Sequence, residues 1–237
     1  MISNSIIDRI RNRLLVQNKN WLAIVTGDTG SGKSYSSMSI ADNILQKNFN
    51  ADHVVFNPID FMKLLTDGNL KKGDIIIFDE AGVGMAARDF MTQSNKLLSA
   101  VLQTFRNLNI GVIFTTPNLS FIDVNARKLF HNYFETASIN RKTEIAYLKI
   151  YDIIHISRID KTFYKHPRFL IGSRKTMITQ VAVRKPRPDL IRDYEKKKTA
   201  YTVELNKEVL ADLIQNKAEK QNAKFTKRKV QDPGNAA

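Results

Sequence analysis

Residues Gly27-Asp28-Thr29-Gly30-Ser31-Gly32-Lys33-Ser34 follow the spacing G-x-x-x-x-G-K-[ST], with Tyr35 next in the chain. These types suit a polyphosphate. Three glycines let the backbone curl round an anion without Cβ clashes, so that successive N–H groups converge on it. Lys33 stands where an ammonium reaches the β- and γ-phosphates, and Ser34 where a hydroxyl ligates Mg²⁺. A glycine-rich turn matches the same pattern by chance, and context separates the two. Here the apolar run Leu22-Ala23-Ile24-Val25 precedes the loop and a helical stretch follows it. A strand and a helix so placed deliver the loop and aim a helix N-terminus at the ligand. The cofactors this implies are ATP and Mg²⁺, with residues 27–35 as the binding segment.

A second group of chemical residues closes the run Ile75-Ile76-Ile77-Phe78, namely Asp79 and Glu80. In an open parallel sheet, ligands bind outside the carboxyl ends of the strands. Asp79 is then placed to hold the Mg²⁺ shell and Glu80 to orient or deprotonate a water. The plainer reading is a solvated acidic turn. An acid beside a metal ligand favours hydrolysis and speaks against a small-molecule kinase, which must keep water from the γ-phosphate. At the end of another apolar run, Thr115, Thr116 or Asn118 can sense the γ-phosphate, or merely cap the strand and start a turn. Arg106 lies opposite the apolar stripe of its helix, as a trans-acting arginine finger or a solvated surface residue; Arg88 competes for the finger role.

These residues need elements to position them. The spacing predicts a first helix with Ile6, Ile7, Ile10 and Leu14 on one face. It predicts strands over 21–26, 54–56, 75–78 and 110–114, with helices from the loop to about Lys47, from Pro58 to Leu65, and over about 92–108. Strands alternating with helices predict an α/β fold with a mostly parallel central sheet. After about residue 131 the pattern turns β-rich, near 131–137, 144–157 and 174–183. From Pro186 the chain reads as charged and helical, fraying after about Lys217. The expected organisation is residues 1–183 as one domain with a β-rich extension from about 131, and 184–237 as a basic helical segment with a disordered end.

At 237 residues and 43% apolar content the chain has room for one sizeable core. No apolar run is long enough to cross a bilayer, and Met1-Ile2-Ser3-Asn4 lacks the order of a signal peptide. With no cysteine there is no disulfide or thiolate site, as suits a reducing interior, and four scattered histidines show no ligand spacing. The expectation is a cytoplasmic or virion-associated protein. The net charge of +14 favours polyanionic partners.

The phosphate loop, Asp79-Glu80, the helix ending at Arg106 and the segment Ile110-Gly111-Val112-Ile113-Phe114-Thr115-Thr116-Pro117, in that order, resemble the HerA–FtsK superfamily of P-loop ATPases. That group includes DNA translocases, viral genome-packaging ATPases and, more loosely, Zot-like assembly ATPases. The resemblance covers about residues 20–137. It implies a Walker A loop ending at Lys33 and Ser34, a Walker B pair at Asp79 and Glu80, Arg106 as the finger, and a homo-oligomeric ring, usually a hexamer. Thr116 stands where the family's sensor glutamine would be, with Asn118 as its replacement.

The expected function is an ATP-hydrolysing motor that moves double-stranded DNA in packaging or transfer, with possible capsid or membrane partner proteins. Arg184-Lys185-Pro186-Arg187 and Lys196-Lys197-Lys198 are candidate DNA contacts, or else a solvated charged face. The alternatives are a Zot-like ATPase acting on protein without DNA, and a nucleotide-gated scaffold with little turnover.

Overall fold

The computed structural model describes residues 4–79 and 108–231. Glu80, Arg88, Arg106 and nearly all of the helix expected over 92–108 lie outside the described residues.

Seven strands form the spine of the main sheet: β1 (Trp21–Thr26), β2 (Val54–Val55), β3 (Ile75–Phe78), β4 (Gly111–Thr116), β5 (Asn132–Asn140), β6 (Ile145–Ile156) and, after three intervening strands, β10 (Gln180–Arg184). Their order is β10-β6-β5-β1-β4-β3-β2, and β7 (Lys161–Lys165) adds to β6. The block β5-β1-β4-β3-β2 is parallel throughout. The pairs that β6 makes with β5, β7 and β10 are antiparallel. Strands β8 (Arg168–Ile171) and β9 (Arg174–Met177) form a separate hairpin. The fold is therefore α/β, a mostly parallel sheet with an antiparallel extension.

The described helices are α1 (Asn4–Arg11), α2 (Lys33–Ile44), α3 (Pro58–Thr66), α4 (Val124–Arg127) and α5 (Pro188–Gln231). Both faces of β1, β3 and β4 are covered, which is why these strands read as nearly unbroken apolar runs. On one face Ala23, Val25, Ile75, Ile77 and Ile113 pack with Ile6, Ile10, Leu14, Met38 and Ala41. On the other, Leu22, Ile24, Ile76, Phe78 and Phe114 pack with Phe61, Leu65 and Phe130. Each larger side chain so buried contributes about 2 kcal/mol. The two cores hold β1, β3 and β4 rigidly side by side, so their carboxyl ends make a firm platform.

Several boundaries differ from the sequence expectation. Helix α2 stops at Ile44 rather than Lys47, because Gln46 and Lys47 turn left-handed at φ 54 and 67. Strand β4 runs through Thr116, and β2 keeps only two residues. Strands β7 and β8 fall where no strand was read. Lysines flank Phe163 and Tyr164 in β7, so its charged ends hide the run, and Asp160 at φ 47 makes the turn that starts it. Helix α5 spans Pro188–Gln231.

Two compact units are found, residues 1–195 and 196–237. The second is helical through Gln231. Among the described residues no helix is long and apolar enough to cross a membrane.

Candidate functional site

The loop between β1 and α2 is built from its glycines. Gly27, Gly30 and Gly32 have φ of 150, 77 and 82. A Cβ at Gly27 would collide with Thr136 Oγ1 and come within 2.6 Å of Ser31 Oγ. Ser31 N–H donates to Asp28 O (3.1 Å), and Gly27 N–H to Pro117 O (3.3 Å), which fixes the curl. Gly32 is the N-cap of α2 and has no side chain to satisfy the first helical N–H groups. The first-turn N–H groups of a helix lie outside its own hydrogen-bond ladder, and the positive end of the helix dipole there favours an anion.

Lys33 is 6% exposed, yet its ammonium does not face apolar neighbours. Its Nζ donates to Gly27 O and to Asp28 O, both at 2.8 Å, which holds the charge inside the loop. Ser34 and Tyr35 are half-buried on the first turn of α2, while Asp28, Thr29 and Gly30 are exposed at the loop tip. Thr136 on β5 braces the loop from beneath by donating to Thr26 O (3.1 Å), and its hydroxyl is 2.8 Å from Ser31 Oγ.

Asp79 leaves β3 at the same sheet edge as the loop leaves β1, because both strands run parallel with β4 between them. Two strand spacings separate their ends by about 10 Å, room for a metal-bound triphosphate. Asp79 is fully buried and accepts a hydrogen bond on each oxygen. Thr115 Oγ1 donates to Oδ1 (2.7 Å) and Tyr194 O–H to Oδ2 (2.6 Å).

The three residues at the end of β4 divide. Thr115 reaches Asp79, whereas Thr116, one residue on, points to the opposite face and donates to Asn118 O (3.3 Å). Asn118 Oδ1 accepts from Ser120 N–H (2.9 Å), so its side chain caps the turn at Leu119–Phe121.

A groove of about 210 Å³ opens beside the start of α2, lined in part by Gly32, Tyr35, Ser36, Ile139, Ala146 and Val183. Ser36 is 2% exposed, and its Oγ finds no hydrogen-bond partner among the described residues. Tyr35 O–H donates to Glu195 Oε1 (2.9 Å). Burial first, and then that bond and the carboxylate charge, push the Tyr35 phenol up to about 12, so it stays a donor. The donor set fits a magnesium-bound nucleoside triphosphate. The positive-φ cradle, the helix N-terminus and Lys33 suit the phosphates; Ser34 and Asp79 suit the metal; the groove with its orphaned Ser36 hydroxyl suits a nucleoside.

Of the candidate basic contacts, Arg187 is engaged inside the fold. Its Nε donates to Asp42 Oδ2 (3.1 Å) and its Nη2 to Phe49 O (2.9 Å). Lys185 pairs with Glu144 (2.7 Å), while Arg184 is exposed. Sequence reasoning missed Thr136 and Tyr194. Nothing local marks either one; Tyr194 lies 115 residues from the acid it touches.

No protein-family model matches the chain, and no curated protein does. Among solved structures it is similar to the N-terminal domain of zonular occludens toxin from Neisseria meningitidis, at 17% identity over 61% of this chain and 93% of that one, TM-score 0.35. It is also similar to B204, the DNA-packaging ATPase from Sulfolobus turreted icosahedral virus, at 15% identity over 62% and 97%, TM-score 0.37. A third is EssC (ATPases 2 and 3) from Geobacillus thermodenitrificans, at 14% identity over 77% and 44%, TM-score 0.38. At such identities and TM-scores nothing about the chemistry follows from them, and the site rests on the geometry above.

Proposed function

We propose that this chain is an ATPase that couples hydrolysis of magnesium-bound ATP to the movement of double-stranded DNA. The observation that carries the reading is the meeting of the 27–34 loop and Asp79 at one sheet edge, with Lys33 held inside the loop. Residues 27–35 hold the triphosphate; Lys33 neutralises β- and γ-phosphate charge, and the groove beside Tyr35 and Ser36 takes the base. Ser34 and Asp79 hold Mg²⁺, which when bound supplies Lewis-acid stabilisation of the transferring phosphoryl group. Glu80 orients the attacking water. Thr116 and Asn118 are assigned to the segment that senses nucleotide state, through the turn they brace. The ATPase machinery belongs to residues 1–183, and the basic helical segment to 184–237.

Charge supports nucleic acid as the cargo. Residues 161–187 contain eight Lys or Arg and no Asp or Glu. Lys161, Lys165, Arg168, Arg174, Lys175, Arg184 and Lys185 are all exposed. Such a surface gains affinity for a duplex by releasing counterions. The motor works as a homo-oligomeric ring, with Arg106 of one subunit entering the site of the next.

The test is ATP turnover with and without double-stranded DNA, for wild type, Lys33→Ala and Glu80→Gln. Stimulation by the duplex is expected, with no nucleotide binding by Lys33→Ala and binding without turnover by Glu80→Gln. Normal turnover by Glu80→Gln sinks its assignment. Turnover indifferent to DNA sinks the translocase and leaves a protein-directed ATPase of the Zot-like kind.

A further inference from the structure

We infer that Tyr194, near the start of α5, is a positioning residue for Asp79, so that the C-terminal helix builds part of the metal half of the site. The inference rests on the nucleotide-site reading above and deepens it. A carboxylate at the end of a strand can turn about its own axis, and only some orientations present a lone pair to a metal-bound water. Here each oxygen is pinned by a hydroxyl from a different element, Thr115 of β4 on Oδ1 and Tyr194 of α5 on Oδ2. Bonds from a hydroxyl to an ionised oxygen are the stronger, more directional kind.

Tyr194 is well placed for such a role because it is itself immobilised. It is 1% exposed, and its ring packs edge-on against Tyr35 (centroids 6.2 Å apart) and tilted against Phe56 (6.1 Å). Leu190, one turn earlier on α5, is 2% exposed in the same core. The next residue, Glu195, accepts from Tyr35 of α2. Two consecutive residues of α5 thus touch the phosphate-loop helix and the metal-binding strand. The Tyr194 hydroxyl is in this way presented to Asp79 by a ring that Tyr35 and Phe56 hold in place.

The experiment uses the full chain and a fluorescent ATP analogue, with affinity measured by anisotropy in EDTA and across a Mg²⁺ titration. Tyr194→Phe keeps the ring and removes only the hydroxyl. We expect it to bind the analogue in EDTA as wild type does, and to lose about fivefold to tenfold of the Mg²⁺-dependent gain in affinity, the size of one hydrogen bond's net contribution. Leu190→Ala, which loosens α5 without touching Asp79, should lower the melting temperature and keep the full Mg²⁺ gain. In Asp79→Asn, adding Tyr194→Phe should cause no further loss. An unchanged or larger Mg²⁺ gain in Tyr194→Phe overturns the inference, as does an equal loss in Leu190→Ala or an additive loss on Asp79→Asn. Wild-type protein that binds no analogue at all overturns the nucleotide-site reading instead.

Discussion

A methyl group at Gly27 and one at Gly30 meet different surroundings, and the contrast separates backbone strain from collision. Gly30 has φ 77 with nothing within 4 Å of a built Cβ, so Gly30→Ala costs only the left-handed backbone, about 1 kcal/mol. Gly27 combines φ 150 with a Cβ that lands on Thr136 Oγ1, so Gly27→Ala should cost about 3 kcal/mol and unseat the loop. Thermal denaturation of the two variants side by side checks this; equal melting temperatures would show that Thr136 does not brace the loop. His131 supplies a second test at this scale. Burial, and then the Arg13 guanidinium beside it, lower its pKa from 6.5 to about 4, while the bond from Leu22 N–H to Nδ1 persists at 2.9 Å. The folded state thus favours the neutral ring. Its stabilisation is complete above pH 6.5 and is lost as the pH falls toward 4, by about 3 kcal/mol in all. Denaturant midpoints across that window should decline in wild type and decline less in His131→Asn.

Elements are held by ties that no local pattern announces. Arg187, just before α5, reaches back to Asp42 near the end of α2 and to Phe49 O. The Asp42 bond and charge raise the Arg187 pKa above its ordinary value, against a smaller desolvation effect. Asp42 also accepts from Phe49 N–H (3.3 Å) and is 6% exposed, so removing its partner leaves a carboxylate stranded in the fold. Arg187→Ala should cost about 2 to 3 kcal/mol, less than a fully buried pair because the arginine is partly solvated. A urea midpoint within error of wild type would contradict this. Helix starts were legible where side chains announce them: Asn57 accepts from Asp60 N–H and Pro58 follows it, as a cap and first turn require. Helix α2 was overrun by three residues because Gln46 and Lys47 are ordinary helix formers; their left-handed turn allows Lys47 N–H to reach Asp42 O (2.7 Å), a contact made by the folded chain.

At the scale of the whole molecule, charge governs what the protein meets. Binding to duplex DNA should weaken steeply with salt, and replacing both Arg174 and Lys175 of the β8–β9 hairpin by alanine should flatten the log–log slope by about 2. Anisotropy at several salt concentrations reads the slope, and an unchanged one removes the hairpin from the interface. If the assembly is a ring with shared sites, Arg106→Ala subunits mixed with wild type should depress turnover by more than their fraction. A loss merely proportional to the mutant share would remove the trans role.

Strands β1 to β4, the loop glycines and Lys33, and the placing of Asp79 at a strand end were readable from types and spacing alone. Their warrants are short-range: strand runs buried on both faces, φ angles only glycine tolerates cheaply, and the edge at which a parallel strand must end. Thr115, Thr136 and Tyr194 could not be assigned that way. Each acts through a single hydroxyl on a group made adjacent by packing, from β4, β5 and α5 respectively. A hydrogen bond across such separations leaves no periodicity behind, so only the folded arrangement selects which of many hydroxyls braces the loop and which holds the acid.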